Sequence, residues 1–255
     1  MFVEERSYLA MTTSWVHCQA KHHPVLPHAA SHEDGAFLRQ GISVRQLDGE
    51  FEAFELAVAS SSGEEKVSER LYRRMHHFLL ILRRVSFRSL LTACKWHTSG
   101  HAWKLARNEL FKWIEEEGKS ARSALVYAAR LFRDIRTYGI VSPEDPFFLL
   151  VASLVIWIYT GHIHRSGDSQ IETPQPIRLD QSQNHFEIKE WIDHGQKKAL
   201  HITGIGLLSD GTSASCALKE VVRIVRSQCT WSGMADSLVY NVPKVLDGLE
   251  LSIRA

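Results

Sequence analysis

WIEEEGKSARSALVYAARLFRDIRTYGIVSPEDPFFLLVASLVIWIYT, residues 113–160, reads as two helices joined by a short loop. In the first, Leu125, Ala128, Ala129, Phe132 and Ile135 recur at spacings of three and four, which places them on one helical face. Arg122, Arg130, Arg133 and Asp134 fall largely on the other side, so a half-buried helix is expected. Ser120 is placed to cap it, and Tyr138-Gly139 to end it, because glycine accepts the positive φ that closes a helix. Ser142-Pro143-Glu144-Asp145-Pro146 then starts the second helix, with prolines in the first turn and acidic groups facing the dipole. That helix, from about Pro146 to Tyr159, is apolar on every side. A bilayer span takes about 20 apolar residues. The run is shorter and lacks basic anchors, so it is expected to be the central helix of a soluble all-α, bundle-like core.

The composition allows such a core. The chain has 255 residues and 44% hydrophobic content, enough to bury a substantial interior. Thirty basic residues against twenty-nine acidic ones leave almost no net charge. A domain that binds DNA unaided usually shows a basic surface, since phosphate neutralisation supplies much of the affinity. Cys18, Cys94, Cys216 and Cys229 lack paired spacing, which argues against a disulfide framework and for reduced thiols in the cytosol or nucleus. The opening Met1-Phe2-Val3-Glu4-Glu5-Arg6 has neither the basic start nor the apolar run of a signal peptide, so an intracellular protein is expected.

Residues 1–63 form a poorly defined segment with short helices, around Tyr8–Cys18 and Phe51–Ala59. His22, His23, His28 and His32 lie in a polar, proline-containing loop, without a cysteine or carboxylate cluster to complete a zinc set. From Glu64 a second unit, helical to the end of the chain, begins. In a long helical region to about Cys94, Val67, Leu71, Met75, Phe78, Leu79, Leu82 and Val85 keep the three-and-four spacing. Arg70, Arg73, Arg74, Arg83, Arg84 and Arg88 decorate the rest; a solvated face paired with Glu64, Glu65 and Glu69 is favoured over a phosphate-contacting one. Arg83-Arg84-Val85-Ser86 also reads as a basophilic kinase site, although a serine inside a packed helix lies beyond a kinase's reach.

Cys94, His97 and His101 have the sharpest metal-like spacing in the chain. A finger needs a second cysteine about a dozen residues upstream of its histidines, and there is none, so Cys94 is read as a small buried hydrophobe. Ala102–Glu117 is a further helix with Trp103, Ala106, Leu110, Trp113 and Ile114 on one side. Residues 161–185 are expected to be a flexible loop, holding the weak pair His162 and His164 and a short extended piece at Ile177–Asp180. Phe186–Leu200 resumes as helix. Gly204-Ile205-Gly206 departs from a dinucleotide loop because Ser209 stands where a third glycine is needed, and it is read as a helix junction. Helices over Thr212–Ser227 and from Trp231 to Leu249 close the chain, the last interrupted by Pro243.

Ala121-Arg122, Ala128-Ala129, Phe132, Arg136, Glu144-x-Pro146 and Trp157-x-Tyr159 together carry a resemblance. With Trp113 before them and Gly206 and Trp231 after them, the pattern resembles the regulatory domain of fungal-specific transcription factors (the middle-homology, xylanolytic-activator type). More narrowly, it is similar to the version found behind C2H2 zinc fingers in filamentous fungi. The resemblance covers roughly Leu71 to Leu249; this chain departs from it in a longer Trp231–Leu249 segment. It implies a helical, nuclear domain that regulates transcription downstream of a DNA-reading module. The residues that carry it are mostly structural.

No C2H2 finger and no six-cysteine cluster occurs in these 255 residues. Three explanations follow: fingers upstream of a fragment or truncated gene model, a finger-less paralogue, or a partner that reads DNA. Zinc is then expected only in a finger module outside this chain. The expected partners are other transcription regulators or a second copy of the chain, with DNA reached only through another module and no membrane. An enzyme is the competing class, and the nucleophile elbow, zincin helix and P-loop are all missing. His76, His77, His97 and His101 alone keep a helical metal site in view. A third reading is an interaction scaffold that dimerises through its kinked last helix.

Overall fold

The computed structural model describes residues 67–96, 98, 101–166, 175–181, 184–210 and 212–228. Five features expected from the sequence lie outside the described residues: the N-terminal segment 1–63, His97, the central part of the 161–185 loop, Trp231 and the last helix. Among the described residues there are seven helices and one small sheet. They are α1 Val67–Leu82, α2 Phe87–Ala93, α3 Ala102–Glu116, α4 Gly118–Tyr138, α5 Asp145–Arg165, α6 His185–His194 and α7 Ser213–Gln228. Strands β1 Ile177–Arg178, β2 Leu200–Ile202 and β3 Gly206–Leu207 lie between α5 and α7. The architecture is mostly helical, as the periodicity predicts.

Helix α5 is the centre. It packs against α4 and α7 most extensively, and also against α1, α2 and α3. Its side chains from Phe148 to Thr160 are all buried. The helix runs further than expected, through Gly161, His162, Ile163 and His164 to Arg165, for 21 residues. At a 1.5 Å rise it is about 31 Å long, and in length and composition it meets the requirement for a membrane span. However, 78% of its most apolar window is buried inside the protein, the placement of a core helix. Gly161 faces Arg107 and Phe111, where a Cβ would make ordinary contact at 3.6 Å from Arg107 Nη2, so its place in the helix does not depend on being glycine. Inside, Ser153 and Thr160 donate their hydroxyls to Leu149 O and Ile156 O one turn back, which satisfies them without a distant partner.

Three further helix boundaries differ from the sequence reading. The long helix to Cys94 is two helices, interrupted at Arg83–Ser86, where the Ser86 hydroxyl accepts from Ser89 N and caps α2. Helix α4 starts at Gly118, so Ser120 falls in its first turn instead of capping it. The helix expected over Phe186–Leu200 stops at His194, where Gly195 takes a left-handed conformation with φ 66°.

The residues after Gly195 become strand. Leu200 and His201 pair in parallel with Ile177 and Arg178, while His201 and Ile202 pair in antiparallel fashion with Leu207 and Gly206. Gly204-Ile205-Gly206 is therefore a tight strand connection and not a helix junction. Gly204 has φ +90° and Gly206 φ +103°, values that side chains with a Cβ rarely adopt. Ile177, Leu179, Leu200, Ile202 and Leu208 are buried and tie this patch to the helical core.

Candidate functional site

Helix α4 is buried beyond its predicted stripe: Val126 and Leu131, off the stripe of five, are almost fully enclosed too. A helix surrounded by α1, α3, α5 and α6 has little room for a solvated side. Asp134, expected outside, is buried, and so is Arg74 of α1, which is fully enclosed. The sequence reading of a solvated arginine face is thus wrong for Arg74.

Burial of an arginine demands partners, and the fold supplies two carboxylates. Arg74 Nε donates to Asp134 Oδ2 at 2.5 Å and Nη1 to Asp145 Oδ2 at 2.6 Å. Nη1 also reaches Gly139 O at 3.0 Å, and Nη2 reaches Asp134 O at 3.3 Å. One guanidinium fork joins α1, the end of α4 and the start of α5. Asp145 Oδ2 additionally accepts from Val141 N at 2.7 Å and Ser142 N at 3.0 Å, so the same oxygen orders the loop before α5. Arg73 adds a weaker approach to Asp134 Oδ1 at 3.8 Å. The arrangement is an electrostatic clamp: one guanidinium held between two carboxylate acceptors.

The arginines of α4 hold the second half of the chain in a related way. Arg122 Nε donates to Ile192 O at 2.9 Å, and its guanidinium fills the space beside Gly118 and Gly195. Arg133 Nη1 donates to Asp180 O at 2.7 Å. Arg136 Nε donates to Glu220 Oε1 at 2.9 Å and lies under Gly204. Glu220 is held below the usual carboxylate range, first by its hydrogen bond to Arg223 and then by Arg136, against partial burial. Burial pushes the Tyr159 hydroxyl up to about 12, with Arg122 opposing it in part.

The other residues of the family-like pattern have simple places. Ala121, Ala128, Ala129 and Phe132 are fully enclosed in the core, and Trp157 and Pro146 are buried on α5. Trp113 is half-buried near the end of α3. Glu144 caps α5 through its carbonyl, which accepts from Phe147 N and Phe148 N, while its side chain is exposed. Gly206 closes the strand connection.

The metal-like groups do not converge among the described residues. Cys94 is buried, its thiol donates to Leu91 O, and burial pushes it up to about 11. His101 is exposed just before α3. His162 faces Glu115 at 3.3 Å and His164 faces Asp210 O at 3.2 Å, so the two histidines have different neighbours. No group of three or more His, Cys, Asp or Glu side chains among the described residues could hold a metal ion.

A protein of Gibberella fujikuroi named "Transcription factor" is 26% identical to this chain over 155 residues. The matched region is 61% of this chain and 20% of that protein, so the chain spans about a fifth of the curated relative it matches. No family model matches the chain, and no solved structure matches it.

Proposed function

We propose that this chain is a helical regulatory domain of a fungal transcription factor, of the type found behind C2H2 fingers. It acts through contacts with other proteins or with a second copy of itself. The reading of DNA belongs to a module outside these residues, and the place of action is the nucleus. The chain is a regulator and not an enzyme. The observation that carries this reading is the 155-residue likeness to a protein named a transcription factor. The near-zero net charge supports the separation of regulation from DNA reading, because a self-sufficient DNA-binding surface is usually basic.

The test is to tether the full chain to a heterologous DNA-binding domain upstream of a reporter. Transcription should rise or fall relative to the DNA-binding domain alone. A nuclear, well-expressed fusion that leaves the reporter unchanged in either direction would overturn the regulatory reading. Specific, salt-resistant binding of DNA by the isolated chain would overturn the separate DNA-reading module.

A further inference from the structure

The sequence contains one Arg-Arg-x-Ser tetrad, Arg83-Arg84-Val85-Ser86, preceded by Leu82 and followed by Phe87. A kinase groove with carboxylates placed for the two guanidiniums and an apolar position after the serine suits this order of side chains. The objection from the sequence was that a packed helix would hide the serine. The structure places the serine in a turn instead of inside a helix. Helix α1 ends at Leu82, and residues 83–86 form the turn to α2. Ser86 itself has extended backbone, φ −71° and ψ 120°, and is half-buried. Ser123 and Ser153, by contrast, lie within helices, where they donate to Lys119 O and Leu149 O one turn back.

We propose that Ser86 is a phosphorylation site for an arginine-directed protein kinase that reads Arg83 and Arg84. In the transfer, Ser86 Oγ forms a bond to the γ-phosphorus of ATP as the bond to the β–γ bridging oxygen breaks. ADP leaves with that electron pair, and the hydroxyl proton passes to the base of the kinase. To be read, Arg84 must leave Leu80 O, to which Nη1 donates at 2.8 Å, and the Tyr127 ring 5.0 Å away. Val85, which is buried, must also come out of the core. Phosphorylation therefore requires a local opening of the turn and is slower on the folded chain than on a free peptide. Once made, the modification adds close to two negative charges beside Arg83, Arg84 and Arg88. It sits one residue before Phe87, which packs edge-on against Phe147 in the first turn of α5 at 4.9 Å.

The experiment incubates the folded full chain and a peptide covering residues 80–91 with ATP and the catalytic subunit of cyclic-AMP-dependent protein kinase. Intact mass and fragmentation locate the phosphate. Ser86→Asn serves as the control, since asparagine caps a helix as well as serine does and has no hydroxyl; circular dichroism checks that it folds. The expected result is one phosphate per folded chain on Ser86, added more slowly than to the peptide, abolished in Ser86→Asn and reduced in Arg83→Ala. Labelling of the peptide but not of the folded chain would overturn the proposal. So would a phosphate on another serine that persists unchanged in Ser86→Asn.

Discussion

Arg74 Nη1 and Asp145 Oδ2 stand 2.6 Å apart, both side chains fully enclosed, across 71 residues of sequence. The same Asp145 oxygen receives the two backbone N–H groups that shape the turn into α5. The contact therefore joins the packing of α1 to the start of the central helix.

Truncating the cation should be severe. Arg74→Ala leaves two buried carboxylates facing each other's charge, and breaking a buried pair typically costs about 3–5 kcal/mol. Asp134→Asn should cost less, because Asp145 still neutralises the guanidinium. Urea unfolding followed by circular dichroism measures both; an Arg74→Ala midpoint equal to wild type would refute the clamp.

Gly204 is required by its backbone and by its neighbour. Its φ is +90°, and a Cβ would stand 2.5 Å from Arg136 Nε. Gly204→Ala should destabilise by about 1–3 kcal/mol from backbone strain, with displacement of the guanidinium in addition. A double-mutant cycle with Arg136→Ala separates the two parts: the coupling between the substitutions reports the steric contact.

The Glu220 carboxylate gives an acid-side signature. Its folded pKa is depressed, first by the hydrogen bond to Arg223 and then by Arg136. A depressed carboxylate contributes stability above its unfolded pKa, about 4.3, and that contribution is lost as pH falls through the lower folded value. Glu220→Gln should therefore be less stable than wild type at pH 7, and the gap should close below about pH 4. Unfolding midpoints across that range check the sign; a gap that stays constant would contradict it.

Cys94 should resist alkylation. Its thiol is buried and pushed up to about 11, so the thiolate is scarce at pH 8. Iodoacetamide followed by peptide mapping should leave Cys94 unmodified in the folded chain and label it fully in urea. Rapid labelling under native conditions would show that the α2–α3 junction opens easily.

Much of α4, α5 and α7 was legible because the signal is local. The stripe Leu125, Ala128, Ala129, Phe132 and Ile135 and the stripe Ala217, Val221, Ile224 and Val225 both turn inward. Pro146 stands in the first turn of α5 and Gly139, with φ 81°, at the end of α4, as their conformational preferences require. The clamp was missed, although a faint sign exists. Asp134 is the sole carboxylate in α4 and Asp145 the sole one in α5, and an acidic group at the head of so apolar a helix as α5 asks for a partner. Arg74, three residues after Leu71 and four before Phe78, flanks the apolar stripe more closely than Arg70 or Arg73, but the sequence does not show which carboxylates meet it.

Periodicity, caps and breakers thus determined that this chain is a helical protein built on the apolar segment from Pro146 to Tyr159, since each depends on residues within a turn or two. Tertiary structure decided which arginine is buried, where α1 breaks, how far α5 continues and that the segment near Gly204 becomes strand. Those outcomes rest on groups far apart in the chain: a guanidinium desolvated between two carboxylates, packing of α5 against α4 and α7, and strand pairing of Ile177 with Leu200. Their energies exist only once the elements meet.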